Sequence, residues 1–235
     1  MKTIKCGDMN IPCIGIGTWS WGSGDNGSDD VFGCTYSAEE LKPVFDEAMK
    51  MGFNLFDTAY VYGMGSSDHN LEQVKKAYEI LQKENIKLSA VQNHLSLLYR
   101  ESEKSGLLKW CRDNDVLFFS YMVLEQGFLT GKYNEDNLFK SGSYRSECYD
   151  IKKFRAVKPL IEEMKKIADK YDISVSAVAI QYALSKGTVP IVGVTKKKYL
   201  KDLSDAAEIK LSLEDIRHLE KTADLVKVDV KTEWE

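Results

Sequence analysis

A carboxylate and a phenol stand close together in the segment Asp57-Thr58-Ala59-Tyr60-Val61-Tyr62-Gly63, which overlaps the end of an apolar run. A phenol held beside a reacting oxygen can act as a general acid. An unperturbed tyrosine has a pKa of about 10, so Tyr62 needs a neighbouring ammonium or imidazole group to become a useful acid. In isolation, such a motif is more often only a strand-end carboxylate and a loop phenol.

Imidazole groups are scarce, because the chain contains only His69, His94 and His218. His69 lies shortly after the Asp57–Gly63 segment, but nothing except this proximity supports it as a partner for Tyr62, so a catalytic role for His69 is not the preferred interpretation. His94 follows Gln92 at strand period, near a pocket mouth, but a structural histidine with satisfied hydrogen bonds is the preferred interpretation. His218 is predicted to lie on a helix surface. Because no cysteines, aspartates or glutamates cluster with these histidines at ligand spacing, no metal site is predicted.

A lysine run, Lys196-Lys197-Lys198, follows Gly193 and an apolar run. A helix N-terminus in this position is suited to binding a phosphate, although the run is also compatible with a solvated helix start. Four aromatic residues can form either core or pocket wall, and two of them are expected to line a pocket: Trp19, Trp21, Tyr121 and Phe128.

Short apolar runs alternate with amphipathic patterns, which is typical of a parallel α/β fold. The strand-like runs cover residues 13–18, 53–58, 86–92, 116–121 and 189–194. A capping box at Ser37-Ala38-Glu39-Glu40 starts a helix that Gly52 ends. Further helices are predicted at about 70–84, 102–114, 155–170, 175–186, 197–206 and 213–224, with a hairpin from 2–5 and 11–14. The aperiodic stretches 20–35 and 122–150 follow strands, where α/β proteins place ligand loops.

The composition is that of one globular domain of 235 residues, with 43% hydrophobic and 29% charged residues. A formal net charge of -4 argues against binding to nucleic acid or to an anionic membrane and favours a small-molecule ligand. No signal-peptide pattern or bilayer-spanning run occurs, so a cytoplasmic location is expected. The odd number of cysteines, without a Cys-x-x-Cys pair, predicts free thiols.

Five segments, in order, resemble the aldo-keto reductase family: residues 14–22, 57–63, 92–100, 126–133 and 190–196. The resemblance implies an incomplete TIM (β/α)8-like barrel with about five parallel strand–helix units. The resemblance also implies that the chain forms one truncated domain, 1–235, which lacks helix 2 through strand 5 of the family and has its join near 66–68. A closed parallel barrel takes eight strands, so five leave open edges, and self-association through those edges is expected.

In the family, an Asp, a Tyr, a Lys and a His surround the carbonyl group that is reduced. By resemblance, Asp57 and Tyr62 are catalytic residues, and no residue of this chain matches the Lys or the His. Hydride comes from the nicotinamide, and the phenol protonates the developing alkoxide. Without the ammonium and imidazole groups Tyr62 is a weak acid, and Asp57 is a carboxylate that protonates if it is buried.

The resemblance also implies NADP(H) as the cofactor. Gln92 would hold the carboxamide, Ser67-Asp68 would be the relic of a Ser-Asn carboxamide clamp, and Thr195 and Lys196 would grip the 2′-phosphate. The implied cofactor-binding residues are Gly17, Thr18, Trp19, Ser67, Asp68, Gln92, Gln126, Gly127, Leu129, Gly193, Thr195, Lys196, Tyr199 and Asp202. The chain departs from the family at 122–124, where Met-Val-Leu replaces Ser-Pro-Leu, and at Leu203, where the family often has an adenine-binding Asn.

Two functional interpretations follow. The first is an NADP(H)-dependent oxidoreductase of small aldehydes or ketones, impaired because the catalytic Lys and His have no counterpart. The alternative is a non-catalytic NADP(H)-binding remnant or an oligomeric interaction module.

Overall fold

The structure is a computed structural model, and it describes residues 2–6, 9–21, 28–57 and 71–230. Four residues singled out in the sequence lie outside the described residues, together with the predicted join near 66–68: Tyr62, Ser67, Asp68 and His69.

Seven strands occur in the described residues: β1 (Thr3–Cys6), β2 (Met9–Pro12), β3 (Gly15–Gly17), β4 (Phe56–Asp57), β5 (Ala90–His94), β6 (Leu117–Tyr121) and β7 (Val189–Gly193). Strands β1 and β2 form the predicted antiparallel hairpin. The other five form one parallel sheet in the order β4-β3-β7-β6-β5. This sheet is the predicted half-barrel, and in the described part of the chain β4 and β5 are its two end strands.

Ten helices accompany these strands in the described residues: α1 (Ser28–Phe32), α2 (Ala38–Lys50), α3 (Leu71–Lys83), α4 (Glu101–Lys104), α5 (Leu107–Asp113), α6 (Tyr144–Cys148), α7 (Ile151–Tyr171), α8 (Val175–Ser185), α9 (Leu200–Glu208) and α10 (Leu213–Leu225). The capping box is confirmed, since the Ser37 hydroxyl accepts from Glu40 N and the Glu40 carboxylate accepts from Ser37 N. None of these helices is both long and apolar enough to cross a membrane.

Two helix predictions need correction. The single helix expected at 102–114 is the pair α4 and α5, because Gly106 adopts a φ of 83° between them, a conformation that glycine reaches without strain. Helix α7 begins earlier than the predicted residue 155, because the Asp150 carboxylate caps it by accepting from Lys153 N at 2.8 Å.

Three buried clusters hold the helices against the sheet. One joins α2, α8 and α9 to β3 and β7 and contains Ile14, Ile16 and Val192. A second packs α7, α8 and α10 against the loop after β6, and a third packs α3 and α5 against β5 and β6. The strand ends are therefore fixed by packing on the helical side, which positions the loops that follow them.

Candidate functional site

A cavity of about 1180 Å³ lies at the carboxyl ends of the parallel strands. Its wall includes most of the described residues that the sequence assigns to catalysis or cofactor binding: Gly17, Trp19, Asp57, Gln92, Gln126, Gly127, Gly193, Thr195, Lys196, Tyr199 and Asp202. Thr18 and Leu129 are not part of this wall. The Thr18 hydroxyl donates to the Asp57 carbonyl oxygen at 2.8 Å, and Leu129 is fully buried in the core. The structure thus gathers separate segments around one space.

Strands β3 and β7 approach each other closely at the cavity. A Cβ atom added at Gly17 would lie 3.2 Å from Ile191 Cγ2 and 3.7 Å from the Gly193 nitrogen. A side chain at Gly17 would therefore crowd β7 at the cavity wall. The Ser20 hydroxyl is buried at this wall and has no hydrogen-bond partner among the described residues, which leaves it available to a ligand.

Of the four aromatic residues considered above, two line the cavity, as predicted. Trp19 and Tyr121 belong to its wall. Phe128 is fully buried in the core, and the indole nitrogen of Trp21 donates to the Val194 carbonyl oxygen at 2.7 Å.

Asp57 and Gln92 meet at the cavity, although they belong to the two end strands of the sheet. Burial raises the pKa of Asp57 above its ordinary value, and a hydrogen bond from the Gln92 side chain opposes part of that rise. Within the described residues, no lysine or arginine forms an ion pair with Asp57. The carboxylate therefore has an amide partner and no described cationic one.

Another part of the cavity wall follows strand β7. Thr195 and Lys196 precede a 3-10 turn, Lys197–Tyr199, which leads directly into α9. The Thr195 side chain is hydrogen-bonded to Tyr36, whose pKa is raised by burial. The sequence did not point to Tyr36, because its contact with Thr195 is tertiary and no spacing signals it. Asp202, in the first turn of α9, has its pKa raised by burial, and a hydrogen bond to Ser174 opposes that rise.

The loop after β6 reaches the cavity through an unusual backbone. Met122, Glu125 and Gln126 have φ values of 58°, 47° and 54°, and Gly127 follows at 103°. A positive φ strains the backbone of a residue other than glycine. Such a conformation persists only where packing and hydrogen bonds around the residue stabilise it. Both side-chain amide atoms of Gln126 are buried at the cavity without a hydrogen-bond partner in the described structure. The loop therefore presents an unsatisfied amide to the cavity.

Arg145 is a second residue that the sequence did not single out. Its guanidinium donates to the Gln126 and Phe32 carbonyl oxygens at 2.9 and 3.0 Å and lies 4.5 Å from the ring centroid of Phe139. Burial lowers its pKa. Its Nε is buried without a hydrogen-bond partner among the described residues, so the cation keeps a donor at the cavity wall.

Beneath this loop, Glu125 and His94 form a buried pair. Glu125 Oε1 lies 2.8 Å from His94 Nε2 and accepts from the Ser96 hydroxyl, and Oε2 accepts from the Tyr149 hydroxyl at 3.2 Å. His94 also stacks on Tyr99, with ring centroids 4.1 Å apart. His94 is therefore buried in a hydrogen-bonded pair, and its role as a structural histidine stays a prediction. His218 lies on α10 and is more than half exposed, as predicted for a surface residue.

Among the described residues of the cavity wall, positive charge predominates, although the chain as a whole is acidic, with a formal net charge of -4. The cationic lining residues are Lys132, Lys140, Arg145, Lys196 and Lys198, and the acidic ones are Asp57 and Asp202. A surplus of cationic side chains raises the local concentration of anionic ligands. In the described part of the chain, no group of three His, Cys, Asp or Glu residues is arranged to hold a metal ion.

Known proteins resemble this chain in sequence or in fold. The profile of the aldo/keto reductase family matches residues 13–79 and 63–224. The aldo-keto reductase yakc [NADP(+)] of Schizosaccharomyces pombe is 30% identical over 147 residues, which are 60% of this chain and 43% of that protein. The chloroplastic pyridoxal reductase of Arabidopsis thaliana is 26% identical over 215 residues, which are 92% of this chain and 54% of that protein.

The chain thus spans about half the length of these two relatives, 43% and 54%. A glycerol dehydrogenase from Gluconobacter oxydans shares the fold, with a TM-score of 0.71 over 96% of each chain at 16% sequence identity. The parallel half-barrel agrees with this likeness. Because the family profile covers most of the sequence, the chain belongs to the aldo/keto reductase family.

Proposed function

We propose that the cavity binds NADP(H), and that the chain is an NADP(H)-dependent oxidoreductase of small aldehydes or ketones whose carbonyl reduction is impaired. The observation that carries the binding proposal is the cationic cavity wall at the strand ends. A dinucleotide with three phosphate groups complements such a wall. Ser20, Gln126 and Arg145 keep buried polar atoms there without a partner among the described residues, and a polar ligand would satisfy them.

Different residues of the chain would bind different parts of the cofactor. Thr195 and Lys196 would hold the 2′-phosphate at the start of the turn that leads into α9, and Gln92 would hold the carboxamide. Trp19 and Tyr121 would exclude water from the nicotinamide. The cofactor would supply the hydride. Tyr62 would supply the proton, and the absence of a matching lysine and histidine leaves its phenol without the groups that make it acidic.

A fluorescence titration tests the binding proposal. NADPH and NADH are titrated into the purified protein while quenching of tryptophan fluorescence is followed, since Trp19 lines the cavity. Saturable binding with a preference for NADPH supports the proposal. Absence of binding by either nucleotide refutes it.

The lysine run contains its own matched control. Lys196 lines the cavity and the adjacent Lys197 does not. Lys196→Ala should weaken NADPH binding about tenfold, the usual scale of one partly exposed charge-assisted hydrogen bond, and leave NADH binding nearly unchanged. Lys197→Ala should affect neither nucleotide. Equal losses of NADPH and NADH binding in Lys196→Ala would remove that residue from the 2′-phosphate site.

The alternative function is a non-catalytic NADP(H)-binding remnant. It is favoured by Asp57, which is hydrogen-bonded to Gln92 and forms no ion pair with a described lysine or arginine. NADPH oxidation with a reactive aldehyde, compared with a Tyr62→Phe variant, separates the two functions. Turnover above the variant's supports the oxidoreductase, and equal rates support the remnant.

Self-association is a further part of the proposal. Strands β4 and β5 end the parallel sheet in the described residues, and such ends can pair with strands of another copy. Light scattering after size-exclusion chromatography measures the mass in solution. A monomeric mass across a range of concentrations would contradict this part.

A further inference from the structure

We infer that His94 is a positioning residue for Tyr121, and that the buried network around His94 fixes an aromatic wall for a flat ligand ring in the cavity. Tyr121 lines the cavity. His94 and its carboxylate partner Glu125 are completely buried behind it and do not belong to the cavity wall. The inference rests on the proposed function, because the flat ring in question is the nicotinamide of a bound NADP(H).

The side chains of His94 and Tyr121 are neighbours across two strands. The two residues are partners in the parallel ladder between β5 and β6, so their side chains project from the same face of the sheet. Their rings are stacked, with centroids 5.6 Å apart and planes inclined by 25°. A fixed imidazole therefore limits how the phenol ring can move at the cavity wall.

Two separate contacts fix the imidazole of His94. Its Nε2 lies 2.8 Å from Glu125 Oε1, and its ring is stacked on Tyr99, with centroids 4.1 Å apart. Ser96 joins these two contacts, because its hydroxyl donates to Glu125 and accepts from Tyr99 N at 3.0 Å. Glu125 and Tyr99 thus hold the imidazole by its edge and by its face through one connected network.

The loop that carries Glu125 begins directly after Tyr121. Its backbone adopts a φ of 47° at Glu125, a conformation that strains residues other than glycine. The carboxylate reaches the interior, where it also accepts from the Tyr149 hydroxyl at 3.2 Å, and a buried carboxylate requires such partners. One short segment thus supplies both the ring at the cavity wall and the carboxylate that fixes the support of that ring.

The test compares NADP⁺ with 2′,5′-ADP, which keeps the adenosine and its 2′-phosphate but lacks the nicotinamide. Isothermal titration measures both affinities in each variant. His94→Gln should weaken NADP⁺ binding about three- to tenfold, the scale of one aromatic contact, and change 2′,5′-ADP binding less than about twofold. The glutamine amide can still donate to Glu125, so this variant removes the ring and keeps a hydrogen-bond donor.

A double-mutant cycle asks whether His94 acts through Tyr121. Tyr121→Leu should itself weaken NADP⁺ binding without weakening 2′,5′-ADP binding. Adding His94→Gln to Tyr121→Leu should then cause no further loss, because the ring that His94 positions is already absent. A histidine that only stabilises the fold would instead affect the two nucleotides equally, with or without Tyr121.

Asp215→Asn is the matched control for lost stability. Asp215 is also a buried carboxylate that accepts a hydrogen bond from a hydroxyl, that of Ser212, but it lies on α10 and outside the cavity wall. Its replacement should leave the ratio of the two affinities unchanged. Circular dichroism checks the fold of each variant. If His94→Gln does not fold, Tyr99→Leu removes the ring that holds the imidazole at a partly exposed position and should lower the same ratio.

The outcomes separate this inference from the proposed function. Equal losses of NADP⁺ and 2′,5′-ADP binding in the folded His94 or Tyr99 variant, no loss of either, or a further loss in the double variant overturns the positioning role and leaves NADP(H) binding in place. Binding of neither nucleotide to the folded, unmodified protein overturns the proposed function and this inference with it.

Discussion

The buried Glu125 carboxylate offers a sharp test of what holds the loop after β6. It accepts from His94 Nε2, the Ser96 hydroxyl and the Tyr149 hydroxyl, and it is fully buried. Glu125→Ala leaves these three groups without their acceptor. Losing one partner of a buried charged network costs about 3–5 kcal/mol, which is a large share of a total stability of about 5–15 kcal/mol. The expected loss is therefore about 4 kcal/mol.

Glu125→Gln should cost less, about 1–2 kcal/mol. Its amide oxygen can still accept from His94 and Ser96, and the Tyr149 hydroxyl can rotate to accept from the new NH₂ group. Neither replacement changes the backbone requirement, because alanine and glutamine are strained in the same way at the φ of 47° that Glu125 adopts. The comparison thus isolates the hydrogen-bond network.

Urea unfolding measures these losses, with the slope of each transition used to check that the mechanism of unfolding is unchanged. Glu101→Ala is the control, because that side chain is 58% exposed and its ion-pair partner in the described structure is the exposed Lys104. It should shift stability by less than about 0.5 kcal/mol. A loss below about 1 kcal/mol in Glu125→Ala, or equal losses in the Ala and Gln variants, would refute the reasoning.

Three further predictions concern acid stability and packing. Burial would raise the pKa of Asp215, but hydrogen bonds led by the one from Lys170 outweigh it and lower that pKa to about 2, so this carboxylate stabilises the fold above its ordinary pKa of about 3.8. As pH falls from about 4 to 2, unfolding free energy should drop by about 1–2 kcal/mol in acid titrations, and an equal drop in Asp215→Asn would contradict this origin. Asp57 has the opposite effect on folding stability. Burial raises its pKa, so its ionised form destabilises the folded state at higher pH. Asp57→Asn should therefore melt at a higher temperature than the unmodified protein at pH 7, and a lower melting temperature would count against the burial argument. Gly15→Ala would bring a Cβ to 2.5 Å from Ile191 Cδ1 and should cost about 1–3 kcal/mol in urea unfolding. Ile191→Val removes that methyl group and should recover part of the loss, whereas additive losses would exclude the clash.

Periodicity predicted the regular elements of the fold because each buries a face of its own. Helix α2 begins at the capping box that the sequence displays at Ser37. Ser212 caps α10 in the same way, because its hydroxyl accepts from Asp215 N. The short helices α1 and α6 fall inside the stretches without periodicity, because five residues are too few to show a 3.6-residue repeat. Gly106 divides a helical pattern whose apolar spacing runs across the break, so only the backbone reveals it.

Some residues of the candidate site could be predicted from the sequence, and others could not. The segments that follow β3, β6 and β7 could be assigned by resemblance because each carries a local motif. Tyr36 and Arg145 could not, because their relevance arises from contacts with distant residues, Thr195 for the first and Gln126 for the second. Local spacing cannot indicate such contacts, whereas burial of an arginine without a carboxylate partner among the described residues becomes visible once the chain is folded.

The chain lacks the family's helix 2 through strand 5, and the position of this segment separates the proposed cofactor binding from the proposed carbonyl reduction. The cationic wall is built from residues after β6 and β7, both of which lie inside the sheet. Strand β7 shares a buried cluster with α8 and α9, and β6 shares one with α3 and α5. Asp57 instead lies on an end strand, next to the residues where the join is predicted. Its described partner is Gln92 on the other end strand. By the family resemblance, loss of the intervening strands would leave the cationic wall on a supported framework and would remove the groups that make Tyr62 acidic, so the proposed binding does not depend on the proposed catalysis.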